Sequence, residues 1–201
     1  MCRCVAVVVA AALVVGCTDV AQPPTVTVPL YSNTLDVAAQ ANGGNFGTPL
    51  SPDEEVMPAG VVNTSNAVGN AVFSLNEDGT ELSYKLIVAN IENVFQAHIH
   101  RSAAGTNGPI VVWLYPSTAP APGPLGGGRL QGVIAEGTIT AANLVGPLAG
   151  QPLSALLAIL EDGTAYVNAH TNDGVAPTNT GPGDFPGGEV RGQVEARGQR
   201  Q

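Results

Sequence analysis

Three histidines give the strongest indication of site chemistry in this sequence, which contains no others. His98 and His100 lie two positions apart in a predicted β-strand, so both side chains project from one face with Cα atoms about 6.6 Å apart. His170 follows an alanine, as His98 does, in a second predicted strand. If these strands are neighbours, three imidazoles can bind one ion at about 2.0–2.1 Å. We therefore expect the three rings to lie close together.

Two interpretations of this cluster are open. In the first, the histidines bind zinc or copper, with Glu189, Asp173 or Asp184 as a fourth ligand. In the second, they belong to a hydrogen-bonded network of polar side chains on the same strand faces. The other members of that network are Gln96, Tyr166 and Asn168. A copper/zinc superoxide dismutase is excluded, because the copper site of that enzyme needs four histidines and a separate zinc set.

Other catalytic groups are scarce in the chain. It has no Gly-x-Ser-x-Gly motif and no phosphate-binding loop, and its one lysine is Lys85. Glu54 and Glu55 are adjacent carboxylates on a predicted turn, where we expect solvent to surround them. Trp113 lies in an apolar strand and is predicted to belong to the core. We therefore expect a protein that is not an enzyme, and the alternative is a metal-dependent enzyme centred on the histidines.

The charge of the chain excludes several classes of partner. Its 201 residues include 7 basic and 16 acidic side chains, which gives a net charge of -9. Nucleic acids and anionic membrane surfaces need clustered lysine and arginine, so neither is an expected partner. Hydrophobic residues make up 44% of the chain, which is normal for a folded globular protein.

The first 17 residues contain all three cysteines and have the pattern of an export signal. The apolar run over residues 5–15 is shorter than the roughly 20 residues that span a bilayer, and its length suits a signal peptide. Residues 14–17, Val-Val-Gly-Cys, resemble a bacterial lipobox. We therefore predict a signal peptide at residues 1–16, lipidation of Cys17 and a Pro/Thr-rich tether at residues 17–32. This protein would be lipid-anchored in the bacterial cell envelope, with its domain outside the cytoplasm.

The rest of the chain predicts a mainly β protein. We expect one antiparallel, Greek-key-like β-sandwich over residues 33–195, followed by a polar tail at residues 196–201. The Asp78-Gly79 turn between two alternating segments indicates a hairpin. Leucines at positions 153, 156, 157 and 160 recur at helical spacing and predict one short helix near residues 152–162.

The predicted strands also determine where the candidate site lies. Residues 94–100 are expected to place Phe95, Ala97 and Ile99 on the face opposite the two histidines. A single strand is predicted over residues 189–196. Two long Gly/Pro loops, at residues 116–129 and 172–188, are the expected places for recognition of a partner.

Several segments, in the same order, are similar to the CHRD domain, a module named after chordin and also found in exported bacterial proteins. They are residues 50–58, residues 73–84, the Ala-His-Ile-His motif at 97–100 with residues 105–112, residues 165–171 and residues 187–193. The resemblance covers about residues 33–195. It implies an extracytoplasmic β domain with no established catalysis. We therefore expect a non-catalytic binding or structural module of the envelope whose partner is an extracellular protein or glycan.

Overall fold

The computed structural model describes residues 46–116, 123 and 125–197. The predicted signal peptide, Cys17 and the tether lie outside these residues, as do residues 117–122 and 124 of the first long loop and residues 198–201 of the tail. None of the helices in the described ranges is long and apolar enough to cross a membrane.

Strands dominate the described part of the chain. They are β1 (Phe46–Leu50), β2 (Val68–Leu75), β3 (Leu82–Glu92), β4 (Val94–Arg101), β5 (Ile110–Tyr115), β6 (Arg129–Ile139), β7 (Ala165–Thr171), β8 (Val190–Gln193) and β9 (Glu195–Ala196). One sheet has the order β6-β3-β2-β1-β9 and the other has the order β5-β4-β7-β8. The pairing is antiparallel in both sheets, which confirms the predicted β-sandwich.

The core follows from alternating apolar residues. Along β3, Leu82, Tyr84, Leu86 and Val88 are buried, whereas the residues between them are more exposed. The predicted hairpin joins β2 to β3, and its turn is fixed by the Asn76 side chain, whose oxygen accepts hydrogen bonds from the backbone amides of Thr80 and Glu81, just before β3. Because a period of two places every second side chain on one face, this strand contributes a continuous apolar surface to the interior.

The predicted helix is present as α1 (Leu153–Glu161). Its buried residues belong to the same apolar core as the sheets; they are Leu153, Leu156, Ile159 and Leu160. Short 3-10 helices lie at Pro52–Glu54, Ala141–Asn143 and Gly146–Leu148.

The end of the domain differs from the prediction. Instead of one strand over residues 189–196, the chain forms β8 in one sheet and β9 in the other. The change occurs at Val194, whose amide still bonds to the Ala165 carbonyl of β7, while its side chain is fully buried in the core. The next two residues pair with β1. A strand that crosses between sheets keeps the alternating pattern of a single strand, so sequence periodicity cannot reveal the crossing.

Candidate metal centre

The three histidines lie on the face of the second sheet that points away from the core. β4 and β7 are direct neighbours, and their register sets His98 opposite Asn168 and His100 opposite Tyr166. His170 lies opposite Gln96 in the same pair of strands. The alternate residues of both strands, such as Ile99 and Val167, enter the apolar core. Although they face outward from the sandwich, the histidines are at most 7% exposed.

The rings of the three histidines are in mutual contact. The ring centre of His98 lies 5.3 Å from that of His100 and 5.0 Å from that of His170, and the third separation is 6.0 Å. One nitrogen from each ring can be chosen so that all three lie within 4.8 Å of one another. The closest pair is Nδ1 of His98 and Nε2 of His170, at 3.1 Å.

Backbone carbonyls fix the protonation of two of the rings. Nδ1 of His100 donates to the Gly108 carbonyl oxygen at 2.8 Å, and Nδ1 of His170 donates to that of Pro186 at 2.9 Å. A carbonyl can only accept, so in each neutral ring the proton lies on Nδ1 and the lone pair lies on Nε2. Histidines that bind metals in proteins commonly donate their second nitrogen to a carbonyl in this way.

Two of the ring nitrogens have no hydrogen-bond partner within the described part of the chain. They are the buried Nε2 atoms of His98 and His100. Because Nε2 of His170 carries a lone pair, Nδ1 of His98 donates to it, and the His98 lone pair is then on its own Nε2. Each ring therefore has its lone pair on Nε2; that of His170 accepts the bond from His98, and the other two have no donor among the described residues. An ion held by all three rings would take the place of the bond between His98 and His170. Three imidazoles with this orientation fit a zinc or copper ion.

Burial keeps the cluster neutral. Together with the neighbouring His170 and His100, it lowers the pKa of His98 to about 2. Burial likewise lowers the pKa of His170 to about 4, helped by His100, while the bond to Pro186 opposes the change. Burial is also the main cause of the lowered pKa of His100. Neutral imidazole is the form that binds metals, so the rings need not lose protons to do so at neutral pH.

Aromatic and cationic side chains support His100. The Tyr166 ring stacks on it with centres 4.8 Å apart and an interplanar angle of 6°. The guanidinium carbon of Arg191 lies 3.4 Å from the centre of the Tyr166 ring. Arg191 also donates to Asn107 and to the Thr106 carbonyl, which ties the turn before β5 to β8. This arrangement restricts His100 on its ring face as well as at Nδ1.

Comparison with protein families shows where this chain belongs. The family model of the CHRD domain matches residues 46–194, about three quarters of the chain. The chain is a member of the CHRD family. The matched residues include the whole histidine cluster, and the family points to an extracellular-type module. No curated protein and no solved structure gives a match.

Glu55 is the residue beside the site of this CHRD domain whose burial the sequence analysis missed. We expected it to be solvated beside Glu54, but its Oε1 atom is buried and has no hydrogen-bond partner among the described residues. Burial raises the pKa of Glu55 to about 7, against the opposing effects of Asn168 and Arg191. Two features of the sequence could have indicated this burial: Glu55 lies in segment 50–58, which resembles the family, and it directly precedes the apolar Val56.

Asn168, one of the predicted network residues, interacts with this carboxyl. It is 2% exposed, and its Oδ1 atom has no partner within the residues that the structure describes. Its side chain interacts with the Glu55 carboxyl and with His100. Gln96 is half-buried, and within the described part of the chain its side chain makes no hydrogen bond to the histidines. Of the three residues predicted to form a network, Tyr166 and Asn168 therefore lie against the histidines, whereas Gln96 does not bond to them.

The three acidic residues that we predicted as a fourth ligand lie elsewhere. The Glu189 carboxylate accepts hydrogen bonds from Ser65, Thr171 and the Gly183 amide, on the core side of the sheet. Asp184 accepts from the amide and hydroxyl of Thr180. Asp173 is exposed and accepts from the Val175 amide. Since adjacent residues of a strand point to opposite faces, Glu189 meets Thr171 and not His170.

Two aromatic residues also differ from their predicted positions. Phe95 is buried outside the apolar core, with its ring edge-on to that of His170 at 6.3 Å. A register shift between Val94 and Gln96 breaks the alternation on which the prediction depended. Trp113 is half-buried, lies opposite His98 in register and packs edge-on against its ring with centres 4.2 Å apart. Both rings shield the histidines from solvent.

Proposed function

We propose that this CHRD-domain protein is a lipid-anchored, non-catalytic module of the bacterial cell envelope, and that its three histidines hold a zinc or copper ion. The observation that carries the metal site is the orientation of the rings. His100 and His170 donate from Nδ1 to backbone carbonyls, which leaves their Nε2 lone pairs for an ion, and one nitrogen from each of the three rings lies within 4.8 Å of the others.

A hydrogen-bonded network accounts less well for the same geometry. Buried polar atoms are nearly always paired in folded proteins, and each unpaired one costs about 1–3 kcal/mol. Here Nε2 of His98 and of His100 and Oδ1 of Asn168 are all buried acceptors without a partner in the described ranges. They lie on one face of two adjacent strands. A cation is the simplest group that would satisfy several clustered acceptors together.

The burial of the site favours binding over catalysis. A substrate would have to reach histidines whose side chains are at most 7% exposed, beneath Trp113, Phe95 and the turn at residues 106–108. Catalytic metals keep one position open to substrate or water. We therefore assign recognition to the loops, chiefly residues 172–188, with an extracellular protein or glycan as the partner.

The metal site is tested by titrating the full-length protein, purified in detergent, with Zn²⁺ and with Cu²⁺ in a calorimeter. We expect one ion per chain for the wild type and for Gln96→Ala, which alters the same sheet face beside the cluster. We expect no binding for His98→Ala or His100→Ala, provided that circular dichroism shows both to be folded. Failure of the wild type to bind either ion would exclude a metal site.

The anchor is supported by the lipobox-like residues 14–17 and needs a separate test. We expect mass spectrometry of the membrane-extracted protein to give an N-terminus at Cys17 that carries the mass of acyl chains. Cys17→Ser should lack this mass and remain unprocessed. A mature protein that begins elsewhere, or that has no acyl mass, would contradict the proposal.

A further inference from the structure

We infer that the amide oxygen of Asn168 is the fourth ligand of the ion held by the three histidines, so that the site is a closed one with four protein ligands. This inference rests on the proposed metal-binding function. Asn168 is not one of the usual His, Cys, Asp and Glu ligands. It takes the place of the three acidic residues that we predicted, whose carboxylates accept hydrogen bonds from other groups.

The position of Asn168 supports this assignment. Asn168 is paired with His98 across the β4–β7 ladder, and directly opposed residues of an antiparallel pair project from the same face with Cβ atoms about 4.5–5.5 Å apart. Its neighbours two positions along the same strand are Tyr166, which stacks on His100, and His170. Asn168 therefore lies between the three rings and not at the edge of the cluster.

The buried amide oxygen of Asn168 supports the same assignment. Asn168 is 2% exposed, yet its Oδ1 atom has no hydrogen-bond partner in the residues that the structure describes. A buried amide oxygen without a donor is costly. His100 does not relieve this cost, because its Nδ1 proton goes to Gly108 and its Nε2 carries a lone pair. Two buried acceptors are thus side by side, and a shared cation would satisfy both.

A closed site also agrees with a non-catalytic role. Zinc sites with four protein ligands are structural, whereas catalytic zinc sites have three protein ligands and one open position. With Asn168 in place, all four positions of a tetrahedral ion are taken by the side chains of β4 and β7. The ion would then fasten these two neighbouring strands together.

The test compares three residues at one position in the full-length protein, with Zn²⁺ as the ion and competition against a chromogenic chelator as the measurement. We expect Asn168→Asp to bind Zn²⁺ at least about 10-fold more tightly than wild type, because it presents an anionic oxygen. We expect Asn168→Ala to bind about 10- to 100-fold more weakly. Two matched controls lie on the same sheet face. Gln96→Glu adds the same charge as Asn168→Asp, and Gln96→Ala removes an amide side chain as Asn168→Ala does. Neither control should change the affinity for Zn²⁺.

A spectroscopic measurement accompanies the affinities. Co²⁺ in place of Zn²⁺ has intense visible absorption bands when it is tetrahedral, and we expect these bands in the wild type and altered bands in Asn168→Ala. Thermal unfolding checks that each variant is folded, and the alanine variant is decisive if the aspartate variant does not fold.

The possible outcomes separate this inference from the proposed function. If Asn168→Ala binds Zn²⁺ as tightly as wild type with unchanged Co²⁺ bands, while His100→Ala does not bind, the histidines hold the ion and Asn168 is not a ligand. If Gln96→Glu strengthens binding as much as Asn168→Asp does, the effect is one of charge alone and the inference is wrong. If the wild type binds no ion, both the inference and the metal site are wrong.

Discussion

The carbonyl oxygen of Gly108 accepts a hydrogen bond from Nδ1 of His100 at 2.8 Å. The amide of the same glycine donates to the hydroxyl of Tyr166, whose ring stacks on that histidine. One backbone unit in the turn before β5 therefore fixes both the histidine and its stacking partner. A Cβ atom on residue 108 would collide with the carbonyl oxygen of Arg101, so the close approach requires glycine.

The first prediction follows from this contact. Gly108→Ala should displace the turn, reduce stability by about 1–3 kcal/mol as overpacking does, and weaken Zn²⁺ binding about 10- to 100-fold. Chemical denaturation and chelator competition measure the two effects. Gly127→Ala is the matched control, since a Cβ there would meet no atom within 4 Å. Equal metal affinity in Gly108→Ala and Gly127→Ala would show that the carbonyl does not position His100.

The second prediction concerns acid. Because the pKa values of the three buried histidines are lower in the folded protein than in the unfolded chain, the unfolded chain takes up protons first as pH falls. The contribution of the histidines to the stability of the metal-free protein should therefore be complete above about pH 6.5. Below it, stability should fall by about 1.4 kcal/mol per pH unit for each histidine that stays neutral, offset in part by Glu55, whose raised pKa acts in the opposite direction below about pH 7. Urea denaturation between pH 8 and pH 4 measures this slope. A free energy of unfolding that is constant over this range would contradict the burial of neutral rings.

The third prediction concerns Glu55, whose effect has the opposite sign. Its pKa in the folded protein, about 7, is above the ordinary value of 4.5, so its charged form destabilises the fold above pH 7. Glu55→Gln should raise the free energy of unfolding of the metal-free protein by about 1–3 kcal/mol at pH 8.5. The gain should shrink towards pH 5, where the wild-type carboxyl is protonated. Glu54→Gln, at the exposed neighbouring position, should have no such effect; a similar gain from both variants would mean that net charge alone is responsible.

The fourth prediction separates structure from metal binding at Glu189. This fully buried carboxylate accepts three hydrogen bonds, at 2.5 Å from Ser65, 2.6 Å from Thr171 and 2.9 Å from the Gly183 amide. Glu189→Ala should cost about 2–4 kcal/mol of stability, because it leaves those donors unpaired. Its Zn²⁺ affinity, measured by chelator competition on the folded variant, should equal that of wild type. Loss of the ion in a folded Glu189→Ala protein would restore this residue as a ligand.

Sequence periodicity predicted the parts of the site that lie within strands. The alternation along residues 94–100 and 165–171 placed His98, His100 and His170 on polar faces, and the structure makes those faces continuous. Alternation fails at Phe95, where a register shift intervenes, because a bulge leaves no mark in the pattern of residue types.

The supports of the site could not be predicted in this way, because they come from distant segments. Gly108 and Pro186 act through backbone carbonyls, which any residue possesses. Glu55 approaches β7 because residues 51–55 dock on β8 through the paired backbones of Ser51 and Arg191, which are 140 positions apart. Such docking depends on the folded tertiary structure, and local composition there indicates only a turn.

The hydrogen bond between His170 and the Pro186 carbonyl joins the histidine cluster to the long loop at residues 172–188. An ion that fixes His170 would also fix the base of the surface to which we assign recognition. Binding at two coupled sites is reciprocal. If the metal changes the affinity of the loop for a partner by some factor, the bound partner changes the affinity of the histidines for the metal by the same factor. The concentration of metal outside the cell would then control the affinity of this loop for its partner.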